Sequence, residues 1–207
     1  MKNNTKTLAV CGIMTAMSVV LSFIKIFELP YGGAITLFSM VPIAFAGYAY
    51  GAKWGLACGA VWGAIDCLMG ASGTLAYLTD NMLNFMICLL FDYLVAFAVV
   101  GLSGVFKNKI KNSKVSFALG AGFAVFLRFV CHFVTGFIIW REYAVDTLSV
   151  NEFGLKIINT FSGEGLAAVY SLVYNGSYML PEIVLTVIGA LVLISIKPLK
   201  NELSSNK

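Results

Sequence analysis

Apolar residues run through this chain in long blocks, separated by short polar stretches. Six blocks stand out, at residues 7–27, 37–51, 54–69, 82–105, 117–139 and 178–196. A helix needs about 20 mostly apolar residues to span a bilayer. The blocks therefore predict an all-α membrane protein. It has six transmembrane helices in a compact bundle, forming a single domain over residues 1–207. The second and third blocks are short, and Gly51-Ala52-Lys53-Trp54-Gly55 between them reads as a tight turn joining antiparallel helices.

Composition agrees. The chain is 59% hydrophobic and 12% charged, where a soluble domain is about half apolar and about a quarter charged. Lys2 and Lys6 precede the first block as in a signal peptide. That block is long, however, and no small-residue cleavage site closes it, so a retained helix is expected.

The basic residues orient the bundle. Lys2, Lys6, Lys53, Lys107, Lys109, Lys111, Lys114, Lys197, Lys200 and Lys207 fall on the side that holds both ends of the chain. Lys25, Arg141 and Lys156 fall on the other. Such a bias marks the first side as inside, so both termini are expected to be cytoplasmic. The acidic residues Glu28, Asp80, Glu142, Asp146, Glu152 and Glu164 then face outward. The formal net charge of +4 is in this light an orientation signal, and no basic-aromatic surface points to nucleic acid.

Few polar side chains interrupt the blocks: Asp66, Asp92, Arg128, His132, Asn175 and Glu182. Ionisable groups in a span are costly and usually face a bundle interior or a wet cavity. Arg128, His132 and Trp140 are spaced to share one helical face, with Tyr143 three turns beyond the histidine. Asp92 could pair with Arg128 or receive a cationic ligand. His132 is suited to proton relay, ligand stacking or core packing. A metal role is disfavoured, because it is the only histidine. Tyr170, Tyr174 and Tyr178 recur every four residues around Asn175. The five cysteines (Cys11, Cys58, Cys67, Cys88, Cys131) lie within blocks without a Cys-x-x-Cys pair and read as packing residues.

Two outer connections look shaped. Residues 28–36 contain Pro30, Gly32 and Gly33, and residues 141–166 are long, with mixed polarity. Gly12 and Ala16 form a small-x-x-x-small pattern that lets a second helix approach closely. No phosphate-binding loop, nucleophile elbow or acyl-transfer dyad is present, so neither ATP hydrolysis nor enzyme catalysis is expected. No cofactor is implied.

Arg128, His132, Gly136, Trp140, Tyr143 and Ala144 follow the order Arg-Tyr-x-x-His-x-x-x-Gly-x-x-x-Trp-x-x-Tyr-Ala, with Phe129 in place of the tyrosine. This signature resembles that of the thiamine-specific substrate-binding (S) component of energy-coupling factor (ECF) vitamin transporters. Asp92-Tyr93 and the Tyr170…Asn175-Gly176 spacing are similar to that family too. The resemblance implies a substrate site of Asp92, Tyr93, Arg128, His132, Trp140, Tyr143, Tyr170 and Asn175. Asp92 would bind the aminopyrimidine, while Trp140 and His132 would flank the thiazolium. Tyr31 would sit on a lid. Gly12 and Ala16 would contact a transmembrane coupling subunit that works with two ATPase subunits, in a bacterial plasma membrane. Against this stand S components for another vitamin or a thiamine precursor, and a proton-coupled carrier built on Asp92, Arg128 and His132.

Overall fold

The computed structural model of the chain describes residues 2–78, 81–197 and 199; Asp80, Lys200 and Lys207 lie outside the described residues. Helix α1 (Lys2–Ser22) leads into a two-stranded antiparallel hairpin, β1 (Lys25–Glu28) and β2 (Ala34–Thr36). Helices α2 (Val41–Tyr50), α3 (Ala52–Leu75), α4 (Met82–Phe106) and α5 (Ser113–Ile138) follow. Two short helices, α6 (Ala144–Leu148) and α7 (Glu152–Thr160), precede α8 (Gly163–Leu193).

Four of these helices are long and apolar enough to cross a membrane among the described residues: α1, α4, α5 and α8. Their packing is inverted relative to a soluble protein. Leu68, Leu83, Leu180 and Val184 are exposed, whereas Thr15, Ser18, Ser103 and Thr186 are buried. Lipid is as apolar as leucine, so such helices associate through close backbone contact and polar side chains.

The short α2 is the buried centre, with every residue from Val41 to Ala49 inside. It ends at Gly51, whose φ of 90° allows the sharp reversal into α3. Next to this turn the Lys107 ammonium donates to the carbonyls of Tyr48 (2.9 Å) and Ala49 (3.3 Å), closing the last turn of α2.

Close approach then depends on a glycine stripe. Gly55, Gly59 and Gly63 recur every four residues on α3 and lie against the backbone of α4. A Cβ on Gly59 would fall 2.3 Å from the Phe97 carbonyl oxygen, and one on Gly63 would fall 2.4 Å from that of Tyr93. By contrast, a Cβ on Gly12 would meet nothing within 4 Å. Gly12 and Ala16 lie on the outer face of α1, opposite the buried Cys11, Thr15 and Ser18.

The structure departs from the sequence reading at three places. The first block does not stay helical to residue 27. Instead, β-branched Ile24 and Ile26 enter the hairpin, which Pro30, Gly32 and Gly33 turn back. The fold is thus not purely α. The last helix starts at Gly163 rather than near Tyr178, so Tyr170, Tyr174 and Asn175 are helical. The long outer connection is also structured, with Asn151 capping α7 through the Gly154 amide (2.8 Å).

Replacing Gly59 with leucine is expected to destabilise the protein by about 1–3 kcal/mol or more, because the α3–α4 backbones must separate. Thermal unfolding in detergent should show a lowered midpoint for G59L and an unchanged one for G12L. Equal midpoints would contradict the glycine-stripe account.

Candidate functional site

A cavity of about 300 Å³ lies between α1, α3, α4, α5 and α8, and the hairpin forms one of its walls. That volume is at the small end of pockets that take drug-sized ligands. Asp92, Tyr93, Arg128, His132, Trp140, Tyr170, Asn175 and Tyr31 all line it.

Asp92 is delivered by a π-helical turn in α4, Leu89–Val95. Such turns interrupt the regular ladder and recur at functional sites. Donors from three places converge on its carboxylate. The Trp140 indole Nε1–H donates to Oδ2 at 3.0 Å, and the Cys88 thiol donates to the same oxygen at 3.2 Å. Thr135 donates its hydroxyl to Oδ1, and His132 Nδ1 lies 2.9 Å from Oδ1. The Arg128 Nε–H donates to His132 Nε2 at 3.2 Å. An Nε2 that accepts leaves the imidazole proton on Nδ1, so His132 is a neutral ring donating to Asp92.

Arg128 therefore does not pair with Asp92; His132 stands between them. The guanidinium carbon lies 3.9 Å from the centre of the Phe97 ring and 5.4 Å from that of Trp62. Aromatic faces of this kind partly replace the water that a buried cation gives up.

Asn175 is committed in a different way. Its amide nitrogen donates to the His132 carbonyl (3.1 Å) and the Ser171 carbonyl (3.0 Å), and its oxygen accepts from the Tyr178 hydroxyl (2.8 Å). This cross-link between α5 and α8 depends on Gly136, where a Cβ would fall 2.3 Å from the Ser171 hydroxyl oxygen.

Tyr143 is not a cavity wall. Its ring packs outside, on Tyr31 (5.0 Å between centroids) and Tyr77 (5.7 Å), and its hydroxyl donates to the Tyr77 carbonyl (3.0 Å). Tyr31 lies 5.3 Å from Tyr77, so three tyrosines meet at the hairpin tip. Tyr31 holds a φ of 65°, a left-handed conformation that a bulky side chain adopts only under constraint. Tyr174 fixes the same tip, donating its hydroxyl to the Pro30 carbonyl and accepting from the Gly33 amide at 3.2 Å.

The cavity also recruits residues with no site signal in the sequence: Trp62, Cys88, Thr135, Thr36 of the hairpin and Ser39 just after it. Asp66 and Glu182, read only as polar interruptions, face it as well. The Asp66 carboxylate makes no hydrogen bond among the described residues, although the charges of Arg128, Lys25 and His132 act on it. Among the described residues no group of side chains could hold a metal ion.

The arrangement is thus a polar, aromatic chamber inside an apolar bundle, closed by a strained hairpin. Its size and lining suit a small molecule. Residues 8–202 match the family model described as thiamine transporter protein. The chain is 28% identical to the thiamine transporter ThiT of Bacillus subtilis over 86% of this chain and 84% of that protein. It is 27% identical to ThiT of Lacticaseibacillus paracasei, over 90% and 86% respectively. A solved structure of ThiT from Listeria monocytogenes superimposes with a TM-score of 0.67 at 23% identity, covering 95% of this chain and 97% of that one. With nearly its full length matched by the family model, the chain belongs to the thiamine transporter protein family.

Proposed function

We propose that the chain is the thiamine-binding S component of an ECF-type transporter. It would capture extracellular thiamine, and a transmembrane coupling subunit with two ATPases would supply the energy for uptake. The protein is a multi-pass membrane transporter rather than an enzyme. The observation that carries the reading is the charge of the cavity. Asp66, Asp92 and Glu182 line it against the single guanidinium of Arg128, His132 is neutral, and Lys25 and Glu28 at the rim pair with each other at 2.6 Å. The chamber is formally anionic and walled with aromatic rings, which suits a flat organic cation.

Asp92 already accepts from four side chains, so an aminopyrimidine binding there displaces one of them or shares an oxygen. Asp66, with no hydrogen bond of its own among the described residues, is the carboxylate free to face a thiazolium. Trp140, Tyr170 and Tyr93 supply ring surface, while Asn175 acts by fixing α5 against α8.

Six spans in one domain over residues 1–207, with both termini cytoplasmic, complete the proposal. Helices α2 and α3 together make the short second and third crossings. Lys53, Lys107, Lys109, Lys111 and Lys114 lie at the α2–α3 and α4–α5 connections, which supports a reading with these ends inside and the hairpin outside. The outward face of α1 at Gly12 and Ala16 is the docking face for the coupling subunit.

Thiamine should quench the intrinsic tryptophan fluorescence of the purified protein and outcompete a panel of other vitamins. Asp66→Asn should weaken binding by about tenfold or more. Failure of thiamine to win the competition would sink the vitamin assignment, and unaltered binding by D66N would remove Asp66 from the site. In vesicles carrying the coupling subunit and ATPases, Gly12→Leu with Ala16→Leu should abolish uptake while leaving binding intact. Uptake driven by an ion gradient without any ATPase would instead favour a secondary carrier that uses the Arg128–His132–Asp92 chain.

A further inference from the structure

Glu182 on α8 adds to the charge of the chamber, but no contact with the bound molecule is assigned to it above. It is only 1% exposed, yet it reaches across to the hairpin. Its Oε1 accepts from the Thr36 amide at 2.5 Å and from the Thr36 hydroxyl at 2.7 Å. The same hydroxyl lies 2.5 Å from that of Ser39, so the inner strand and the segment after it share one buried polar knot. A β-strand residue with its amide given to a carboxylate on a distant helix is pinned by charge-assisted hydrogen bonds.

The hairpin also needs pinning. Its outer strand is exposed along its whole length. The Leu37 amide donates to the Ile24 carbonyl at 3.0 Å and closes the neck. Beside that neck Phe38 holds a φ of 60°, and Tyr31 at the tip holds 65°. Two bulky residues in the left-handed region store strain, and such strain persists only where surrounding contacts over-determine it. The tip is held by Tyr174 and the tyrosine trio, the base by Glu182.

Among the described residues, the second Glu182 oxygen, Oε2, is buried without a hydrogen bond, and so is Nη1 of Arg128. The two side chains line the same cavity, and Glu182 is the carboxylate whose charge acts most on Arg128. Arg128 in turn holds His132, and His132 holds Asp92. Hydrogen bonds therefore run from Thr36 to Glu182 and, separately, from Arg128 through His132 to Asp92, and between Glu182 and Arg128 only charge acts.

We infer that Glu182 is the positioning residue that latches the hairpin over the cavity and sets how long a bound molecule stays. It touches the hairpin, and beyond its share of the cavity's charge it acts on the ligand through that contact; Thr36→Val breaks the contact and leaves the charge in place. When the latch is intact, the inner strand is a fixed wall; when it is lost, the strained neck relaxes and the cavity opens. The inference rests on the thiamine reading for its cargo, but the latch itself can be tested without any ligand.

Glu182→Gln and Thr36→Val should each raise the thiamine dissociation rate by about tenfold or more, the factor one lost charge-assisted hydrogen bond carries, with association little changed. Both should also speed tryptic cleavage after Lys25, on the hairpin's outer strand, in the absence of thiamine, and Thr36→Ser should restore both readouts. If E182Q fails to fold, T36V decides alone. Dissociation and cleavage both within about twofold of the parent protein would overturn the latch. Should the parent protein not bind thiamine, the vitamin reading fails, and the ligand-free cleavage arm still decides the latch.

Discussion

Asp92 is a carboxylate inside an apolar bundle, and it survives there because four donors meet it. Much of the fold serves that convergence. The π-helical turn of α4 brings Cys88 and Asp92 together, α5 brings His132 and Thr135, and the turn after α5 brings Trp140. Arg128, one helical turn before His132, fixes the imidazole tautomer and is cushioned by Phe97 and Trp62. Removing one donor would leave a buried charge short of a partner, which costs far more than the bond adds when present.

Two further constraints shape the chamber around this centre. The glycine stripe of α3 sets how closely α4 can approach, and so how far Asp92 reaches across the interior. The hairpin then covers what the helices leave open, seated by Glu182 at its base and by tyrosines at its tip. Helices thus hold the ring faces and most of the carboxylates, while the hairpin forms the remaining wall. This division suits a protein that must take in a small cation from water and then keep water away from it.

The long apolar blocks and the shared face of Arg128 and His132 on α5 were legible in the sequence, because helix periodicity is local, whereas the helix ends at Ile138 and Trp140 reaches the cavity from the turn beyond it. Seven of the eight expected substrate-site positions line the cavity, and Tyr143 sits at the tip of the hairpin instead. What stayed hidden is non-local or unsignalled. Ile24, Ile26 and Phe27 continue an apolar run, so the switch to a hairpin is invisible until Pro30 and the paired glycines are seen folding it back. The Gly163-Glu164-Gly165 start of α8 has a loop-like composition, yet it opens a helix of 31 residues. No sequence pattern marks a π-helical turn, and none ties Glu182 to Thr36, which lies 146 positions away. Of the two roles left open for Asp92, direct pairing with Arg128 is not made, because His132 fits between them.

The account turns on an anionic, aromatic chamber that selects a cation. Calorimetric titration of the purified protein with thiamine, and with an uncharged isostere in which a neutral five-membered ring replaces the thiazolium, tests this most directly. The account predicts that the neutral compound binds more weakly by about tenfold or more, in line with the loss of one cation–π and carboxylate contact. Equal affinity for the two would contradict it.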